Sequence, residues 1–333
     1  MIKKPPLKVL FFGNPGYGDD FLVKLLELKE VKIVGVFKKS DNIFFNILNI
    51  LKLNLFHKKK NFFKRFLSLD KIKNFFLNLS SQKNSADKFT NIDKICEENN
   101  IKVFDPSKYF NKKYRNILHN LNIDVLLVAT YSYLIPEHVI KISKYCSVNF
   151  HPSLLPRYRG SNPEFCSIFY GENQTGITFH ILNKKFDSGD IIMQREIRLS
   201  EEETTISLKK KLSKLGTESL KEFFSLIREQ IINNSNLVLK KQEPTLVSYC
   251  SLPNKYDFLS CELTIEEVKN RLRAFDGLEK RPYIKYKNKK IFILSHKENE
   301  GFPYNFSNGI IFFNKIIYNG QIYDQKNMDW LRG

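Results

Sequence analysis

Short apolar runs alternate with stretches of helical periodicity through the first half of the chain. Residues 7–12 and 31–37 are apolar runs, residues 21–28 between them have helical spacing, and residues 123–130 and 146–150 are further apolar runs. Short, continuous apolar runs bounded by turn residues indicate strands that are buried on both faces. Strands that alternate with helices predict an α/β fold with a Rossmann-like, doubly wound and mostly parallel sheet.

The pattern changes towards the C-terminus. Residues 179–182 and 191–199 predict two more strands, and residues 204–232 predict a long amphipathic helix with Thr205 as its N-cap. A linker is predicted at 241–252, because Pro244 and Pro253 interrupt a polar stretch there. The chain therefore divides into a main domain (1–240), this linker and a small β-rich domain (253–333). The small domain is expected to contain a helix at 264–275 and strands at 283–286, 290–294, 309–313 and 315–318.

A glycine-rich segment follows the first predicted strand, as in many nucleotide-binding proteins. Its glycines are Gly13, Gly16 and Gly18, which is not the GxGxxG spacing, and Pro15 removes a backbone donor. The segment is therefore interpreted as a structural turn rather than a phosphate-binding loop.

The chain is strongly basic, with a formal net charge of +19, and Lys supplies 43 of its 54 basic residues. Such a charge indicates either a polyanionic partner or the amino-acid bias of an A/T-rich coding sequence. The charge is concentrated between residues 38 and 73, where ten Lys or Arg face only Asp41 and Asp70. Residues 38–90 are interpreted as a basic amphipathic insertion. Three interpretations of this insertion remain open: it binds RNA phosphates, it lies on a membrane surface, or it is a solvated helical insertion.

Several protein classes are disfavoured by composition. No apolar run reaches the roughly 18–20 residues of a membrane span, and no secretory signal is recognisable, so a cytoplasmic protein without an integral membrane segment is expected. The five cysteines are scattered and lack CxxC spacing, which predicts reduced structural thiols. No residue cluster has metal-ligand spacing, so no metal is expected.

Three residues carry the chemistry. Asn149 and His151 are two positions apart in an extended segment, so their side chains point to the same side, and Asp187 follows 36 positions after His151. An Asn amide donates to a developing oxyanion, and a carboxylate holds an imidazole protonated for proton transfer. The combination suits acyl-type transfer without a covalent intermediate.

The motifs around these residues resemble one superfamily. Asn149-x-His-Pro-Ser-Leu-Leu-Pro-x-Tyr-x-Gly160, Gly171-Glu-x-x-Thr-Gly176 and Asp187-Ser-Gly189 are similar, in order and spacing, to the 10-formyltetrahydrofolate-dependent formyltransferases. These include enzymes that act on methionyl-tRNA, on nucleotide-linked amino sugars and on glycinamide ribonucleotide. The resemblance implies the formyltransferase fold and 10-formyltetrahydrofolate as co-substrate. It also implies Asn149, His151 and Asp187 as catalytic residues for direct attack through a tetrahedral intermediate.

The resemblance also implies binding residues. Arg157, Arg159 and Gly160 are expected to bind the acceptor, whereas His180 matches no catalytic position and receives no role. The pterin pocket is expected to be lined by Tyr133, Leu134, Ile135, Ser153, Leu154, Leu155, Pro156 and Phe186.

The acceptor is left open between two alternatives. The chain layout, the closing Trp330-Leu-Arg-Gly333 and the basic insertion favour the amine of Met-tRNA, with tRNA as partner. Gly160-Ser-Asn-Pro163 and Thr178-Phe-His180 favour a nucleotide-linked amino sugar, because the tRNA enzymes more often have Gly-Ala-Ala-Pro and lack that His. A non-catalytic binding protein of the same fold is disfavoured, because Asn149, His151 and Asp187 are all present.

Overall fold

The computed structural model describes residues 5–39, 92–131, 133–250, 252, 255–297 and 299–328. Apart from Lys38 and Lys39, the predicted basic insertion lies outside these residues. The chain forms two compact units. Unit 1 consists of Met1–His151, Phe179–Lys185 and Gly216–Leu239, and unit 2 of Pro152–Thr178, Phe186–Leu215 and Lys240–Gly333.

Seven strands form one sheet in the order β3-β2-β1-β4-β5-β6-β7. All neighbours from β3 to β5 run parallel, and a helix crosses over between each strand and the next in sequence. The predicted doubly wound α/β fold is confirmed. The strands are β1 (Leu7–Gly13), β2 (Val31–Phe37), β3 (Val103–Phe104), β4 (Val125–Ala129), β5 (Cys146–His151), β6 (Gln174–Ile181) and β7 (Ile191–Arg198). The crossover helices are α1 (Tyr17–Glu27), α2 (Ile92–Glu98), α3 (Lys112–Asn120) and α4 (Glu137–Ile140).

The core of unit 1 is rich in phenylalanine. On one side of the sheet, Phe12 and Phe37 stack at a centroid distance of 4.5 Å, and Phe37 also contacts Phe104. Burying each such side chain contributes about 1.5–3 kcal/mol. On the long helix α6 (Thr205–Asn233), a Cβ at Gly216 would come within 2.5 Å of the Phe150 ring, so only glycine allows this close packing.

The glycine-rich segment after β1 forms a turn into α1. Gly16 is the N-cap of α1 at φ 99°, a value that favours glycine, and its N–H donates to Asp19 Oδ2 at 2.9 Å. Since Asp19 is almost fully buried, burial raises the pKa of its carboxyl group. These contacts are those of a helix-initiating turn, in line with the structural interpretation of the segment.

Unit 2 contains a separate antiparallel sheet, as predicted for the C-terminal domain. Its core consists of aliphatic and aromatic side chains that include Val268, Ile291 and Phe313. Helix α5 (Pro163–Phe169) packs against α7 (Ile265–Phe275), which starts with a capping box between Thr264 and Glu267. The strands are β8 (Tyr283–Tyr286), β9 (Lys289–Lys297), β10 (Phe302–Phe306), β11 (Gly309–Tyr318) and β12 (Gln321–Asp324).

Two local predictions are wrong. The runs at 309–313 and 315–318 form the single strand β11, because an irregularity in its pairing with β9 accommodates Asn314 without ending the strand. The cap of α6 is Thr204 rather than Thr205. Thr204 Oγ1 accepts from Ser207 N at 3.2 Å, whereas the buried Thr205 hydroxyl donates to the Ala274 carbonyl at 2.7 Å.

The prediction that all five cysteines are reduced is also wrong. Cys166 and Cys250 form a disulfide with a Cα–Cα distance of 5.7 Å, although 84 positions separate them. The cause is backbone pairing within unit 2. Arg159 N donates to Ser248 O at 2.9 Å, and Cys250 N donates to Arg159 O at 3.2 Å, so the predicted linker lies beside the loop that precedes α5.

Candidate active site

The carboxyl end of β5 presents two polar side chains on one side of the strand. Asn149 and His151 alternate with Phe150, whose ring packs into an aromatic cluster with Phe21 at 4.5 Å and Phe179 at 5.6 Å. Asn149 is partly buried and His151 is 4% exposed. The same-side arrangement of Asn149 and His151 therefore follows directly from the strand that the apolar pattern predicts.

His180, on β6, contacts both of these residues. Its Nε2 atom lies 3.1 Å from Asn149 Nδ2, and its ring lies edge-on to that of His151 at a centroid distance of 6.5 Å. His180 is 1% exposed. The sequence assigns His180 no role, because nothing in the 30 positions between Asn149 and His180 specifies which residues of β5 and β6 become neighbours.

The loop after β4 is largely built into the core of unit 1. Of the three residues predicted to line a pterin pocket here, Tyr133 and Ile135 are 6% and 8% exposed, whereas Leu134 is 38% exposed. Tyr133 packs edge-on against Tyr131 at 5.4 Å, and the Tyr131 hydroxyl lies 2.9 Å from that of Tyr109. Among the described residues of this loop, Leu134 is therefore the most exposed apolar side chain.

In unit 2, a buried threonine organises the loop that contains Ser153, Leu154, Leu155 and Pro156. The Thr178 hydroxyl donates to Ser153 O at 2.7 Å and accepts from Leu155 N at 3.1 Å and from Gln194 Nε2 at 2.9 Å. The Gln194 amide also donates to Leu155 O at 2.9 Å. The Leu155–Pro156 peptide bond is cis. Leu154 remains partly exposed on this loop, whereas its neighbours are buried.

Asp187 is held by several hydrogen bonds within unit 2. It has a left-handed backbone with φ 52°, which Asp tolerates better than most residues, and its Oδ2 atom accepts from Gly160 N at 2.8 Å. The amide of Gln242 donates to Asp187 O at 2.9 Å and to Gly189 O at 2.7 Å. Phe186, the neighbouring residue, is partly exposed.

Both arginines that were predicted to bind the acceptor have protein partners in unit 2. Arg157 forms an ion pair with Glu172, whose carboxylate also accepts from the Tyr158 hydroxyl at 2.5 Å, while the Arg157 side chain stays 49% exposed. Burial, followed by this hydrogen bond, raises the pKa of Tyr158. Arg159 donates from Nε and Nη2 to Gln242 Oε1 at 3.1 and 2.7 Å. Arg157 is therefore the more exposed cation of the two.

The described residues contain neither a cluster of metal ligands nor a membrane-spanning helix. Within the described ranges, no group of three or more His, Cys, Asp or Glu is arranged to hold a metal ion. No helix in this part of the chain combines the length and apolarity needed to cross a membrane.

Comparison with known proteins identifies the class that this fold and these motifs define. A family model described as formyl transferase matches residues 78–223. A relative from Ehrlichia chaffeensis is 30% identical over 290 residues, which is 86% of this chain and 80% of the relative. The chain therefore belongs to the formyl transferase family of enzymes, and the family resemblance of its motifs is confirmed.

The curated relatives within that family have a more specific name. The Ehrlichia chaffeensis protein is a methionyl-tRNA formyltransferase, and so is a Fusobacterium nucleatum relative that is 28% identical over 82% of this chain and 74% of its own. A methionyl-tRNA formyltransferase from Thermotoga neapolitana is 34% identical over 200 residues. That match covers 60% of this chain and 62% of the relative.

Solved structures with the same fold include enzymes of another specificity. A sugar 3N-formyltransferase, crystallised with dTDP and 5-N-formyl-THF, aligns over 97% of this chain and 98% of its own with a TM-score of 0.56 and 19% identity. An N-formyltransferase from Helicobacter canadensis aligns over 96% and 99% with a TM-score of 0.55 and 16% identity. At these identities the likeness establishes the fold.

Proposed function

We propose that this protein transfers a formyl group from 10-formyltetrahydrofolate to the methionyl amine of Met-tRNA. The observation that carries the proposal is the match to the Ehrlichia chaffeensis methionyl-tRNA formyltransferase, because it spans 86% of this chain. A match of that length is too long to be confined to residues 1–240. It therefore includes part of the small C-terminal domain as well as the residues around Asn149.

The proposed chemistry assigns one role to each of three residues. The amine nitrogen attacks the formyl carbon, and Asn149 donates its amide N–H to the oxygen that becomes negative in the tetrahedral intermediate. The bond from carbon to N10 then breaks, and His151 gives N10 a proton. Asp187 takes up, through water, the proton that the amine loses. The buried strand position of His151 and the hydrogen-bonded loop position of Asp187 support these roles, because both side chains are held in defined orientations.

The chain offers suitable side chains for the folate. A pterin ring needs apolar walls and backbone groups for its polar edge. Leu134 is an exposed apolar side chain between the buried Tyr133 and Ile135, and Leu154 is a partly exposed one between the buried Ser153 and Leu155. We propose that both contact the pterin together with the other predicted pocket residues. Arg157, half exposed beside Glu172, is proposed to contact the anionic acceptor.

The second candidate function is N-formylation of a nucleotide-linked amino sugar. Two local features favour it: Ser161 and Asn162 in place of an Ala pair, and His180 on β6. The two acceptors differ physically. A tRNA brings many phosphates, so its binding weakens steeply with salt, whereas a sugar nucleotide brings a single diphosphate.

The experiment is a formyl-transfer assay with 10-formyltetrahydrofolate, with Met-tRNA and a panel of nucleotide-linked amino sugars tested separately. Turnover is expected with Met-tRNA. Asn149→Ala, His151→Ala and Asp187→Ala should each lower kcat by roughly 10²–10³-fold, the usual cost of losing one transition-state interaction. The control variants, Asn120→Ala and His119→Ala, change exposed residues of α3 and should leave kcat unchanged. Near-normal turnover by His151→Ala would contradict the mechanism, and turnover on sugars alone would establish the second function.

A further inference from the structure

We propose that His180 is a positioning residue for formyl transfer, acting through Asn149. Resting on the proposed function, the inference adds a residue to which the family motifs assign no role. The geometry that carries it is the hydrogen bond between His180 Nε2 and Asn149 Nδ2, 3.1 Å long, between side chains of β6 and β5. This bond determines whether the oxygen or the NH₂ group of the Asn149 amide faces His180.

The other ring nitrogen determines which partner donates. His180 Nδ1 lies 3.0 Å from the carbonyl oxygen of Ile181, and a carbonyl only accepts, so Nδ1 carries the hydrogen. In a neutral imidazole with a protonated Nδ1, Nε2 has a lone pair and no hydrogen. Nε2 therefore accepts, and the amide nitrogen of Asn149 donates.

This bond discriminates between the two orientations of the amide. If the Asn149 amide were rotated by half a turn, its oxygen would face Nε2, and two acceptors would oppose each other. The bond thus keeps the NH₂ group towards His180 and sets the plane of the amide. The second hydrogen of Nδ2 is the one that the proposed mechanism directs at the oxyanion, and an amide oxygen in its place would repel that charge.

The surroundings of His180 favour a fixed rather than an adjustable contact. His180 is 1% exposed, so water does not readily replace the lost acceptor if the ring is removed. The ring also lies edge-on to His151 at 6.5 Å, so a variant must keep most of its volume to leave His151 in place. His180→Leu keeps volume and removes the acceptor. His180→Gln places a carbonyl oxygen close to the position of Nε2 and preserves an acceptor.

The test is a double-mutant cycle with kcat as its readout. His180→Leu is expected to lower kcat roughly 10–100-fold, less than the loss of Asn149 itself, with KM for both substrates within about twofold of the parent. His180→Gln is expected to stay within about fivefold of the parent. In the Asn149→Ala background, His180→Leu should have almost no further effect, because the residue that it positions is gone.

Two outcomes would overturn the inference. One is a full effect of His180→Leu in the Asn149→Ala background, which would mean that His180 acts independently of Asn149. The other is an effect of His180→Leu on kcat that vanishes in the His151→Ala background and not in the Asn149→Ala background. This result would mean that His180 acts through its ring contact with His151. Both outcomes require a parent protein that transfers formyl groups, so failure of the proposed function would appear first, as an inactive parent.

A second measurement is independent of activity. In ¹⁵N NMR spectra of the imidazole nitrogens at neutral pH, His180 should appear as a neutral ring with hydrogen on Nδ1. The signal is assigned by its loss in His180→Gln, so this measurement tests the proposed bond even if His180→Leu does not fold. A ring with hydrogen on Nε2 would contradict the proposed bond.

Discussion

Among single residues, Glu164 stands out as a buried carboxyl group. It lies in the first turn of α5, is 8% exposed, and its Oε2 atom has no hydrogen-bond partner among the described residues. Burial raises the pKa of Glu164, and a hydrogen bond from its own backbone together with the charge of Lys209 offsets only part of this effect. Because the folded state holds the proton more tightly than the unfolded state, this group destabilises the fold as pH rises above its unfolded pKa of about 4.3.

Replacing Glu164 should therefore stabilise the protein in a pH-dependent way. Glu164→Met fills a similar volume without a charge and is expected to raise the free energy of unfolding by about 1–3 kcal/mol at pH 8. The gain should shrink as pH falls towards 4, where the carboxyl group is protonated in both states. Urea unfolding at pH 5 and pH 8 measures it, with the exposed Glu97→Met as control. An equal gain at both pH values would contradict the explanation.

Thr178 is the buried hydroxyl on which the 153–155 loop depends. Thr178→Val has nearly the same shape but leaves Leu155 N without its partner. We expect a loss of about 1–3 kcal/mol in unfolding free energy. In the matched variant Thr175→Val, the hydroxyl lost is also buried, but among the described residues it makes a single, longer contact of 3.3 Å with Ser167, so a smaller loss is expected. Equal losses would show that the loop does not depend on Thr178.

For single residues, the sequence predicts the side of a strand on which a side chain lies better than it predicts the other side chains that it contacts. The placement of Asn149 and His151 on one side of a strand follows from a period of two, which is local information. The contact of Asn149 with His180 depends on which strands become neighbours and in which register, and neither is encoded within a few residues. The predicted cap, Thr205, lies one position after the observed cap, Thr204, because the two residues are chemically identical.

Among the elements, the segment around Gln242 joins three parts of unit 2. The side-chain amide oxygen of Gln242 accepts from Arg159, and its amide nitrogen donates to the carbonyls of Asp187 and Gly189. The adjoining 248–250 stretch pairs with the backbone at Arg159. A segment that composition marks as a linker is thus part of the framework that holds the Asp187 loop.

Removal of the Gln242 side chain should loosen that loop. Gln242→Ala loses four hydrogen bonds. Each bond contributes roughly 0.5–1.5 kcal/mol, but water partly replaces them at this half-buried site. We therefore expect the free energy of unfolding to fall by about 1–3 kcal/mol. If Asp187 is catalytic, kcat should fall as well. Lys241→Ala, one position away and exposed, is the control for both measurements. A stable Gln242→Ala protein with parental kcat would exclude the framework role.

Long, apolar elements are those that the sequence predicts well. The strands β1, β2 and β5 were predicted to within one residue at either end, because their apolar runs are sharply bounded. The strands β10 and β12 were not predicted, since their apolar residues are few and interrupted by Pro303 or by polar residues. The Cys166–Cys250 disulfide depends on backbone pairing over 84 positions, which cysteine spacing does not reveal.

For the whole molecule, the distribution of charge provides a test of whether the acceptor is Met-tRNA or a nucleotide-linked amino sugar. The C-terminal domain carries little net charge, but the hairpin of β8 and β9 has no acidic residue between Lys280 and Lys297. Its exposed lysines lie next to aromatic rings, with Lys290 4.5 Å from the ring of Tyr283. The predicted basic insertion (38–90), for which binding of RNA phosphates is one of three interpretations, lies outside the described residues apart from Lys38 and Lys39.

Neutralising the hairpin should distinguish a tRNA enzyme from a sugar enzyme. In the quadruple variant with Gln at Lys285, Lys287, Lys289 and Lys290, we expect weaker Met-tRNA binding and a salt dependence reduced by about one unit of slope for each lysine that contacts a phosphate. A control with Gln at the exposed Lys112, Lys113, Lys210 and Lys221 changes net charge equally. Equal weakening in both variants would mean that only net charge matters.

The most direct test of the central claim is single-turnover formyl transfer from 10-formyltetrahydrofolate to Met-tRNA by the purified protein, compared with the His151→Ala variant. The account predicts formyl-methionyl-tRNA from the parent protein and a rate roughly 10²–10³-fold lower from the variant. Absence of product from the parent, with turnover on a nucleotide-linked amino sugar instead, would contradict the proposed acceptor. Equal rates for parent and variant would contradict the proposed mechanism.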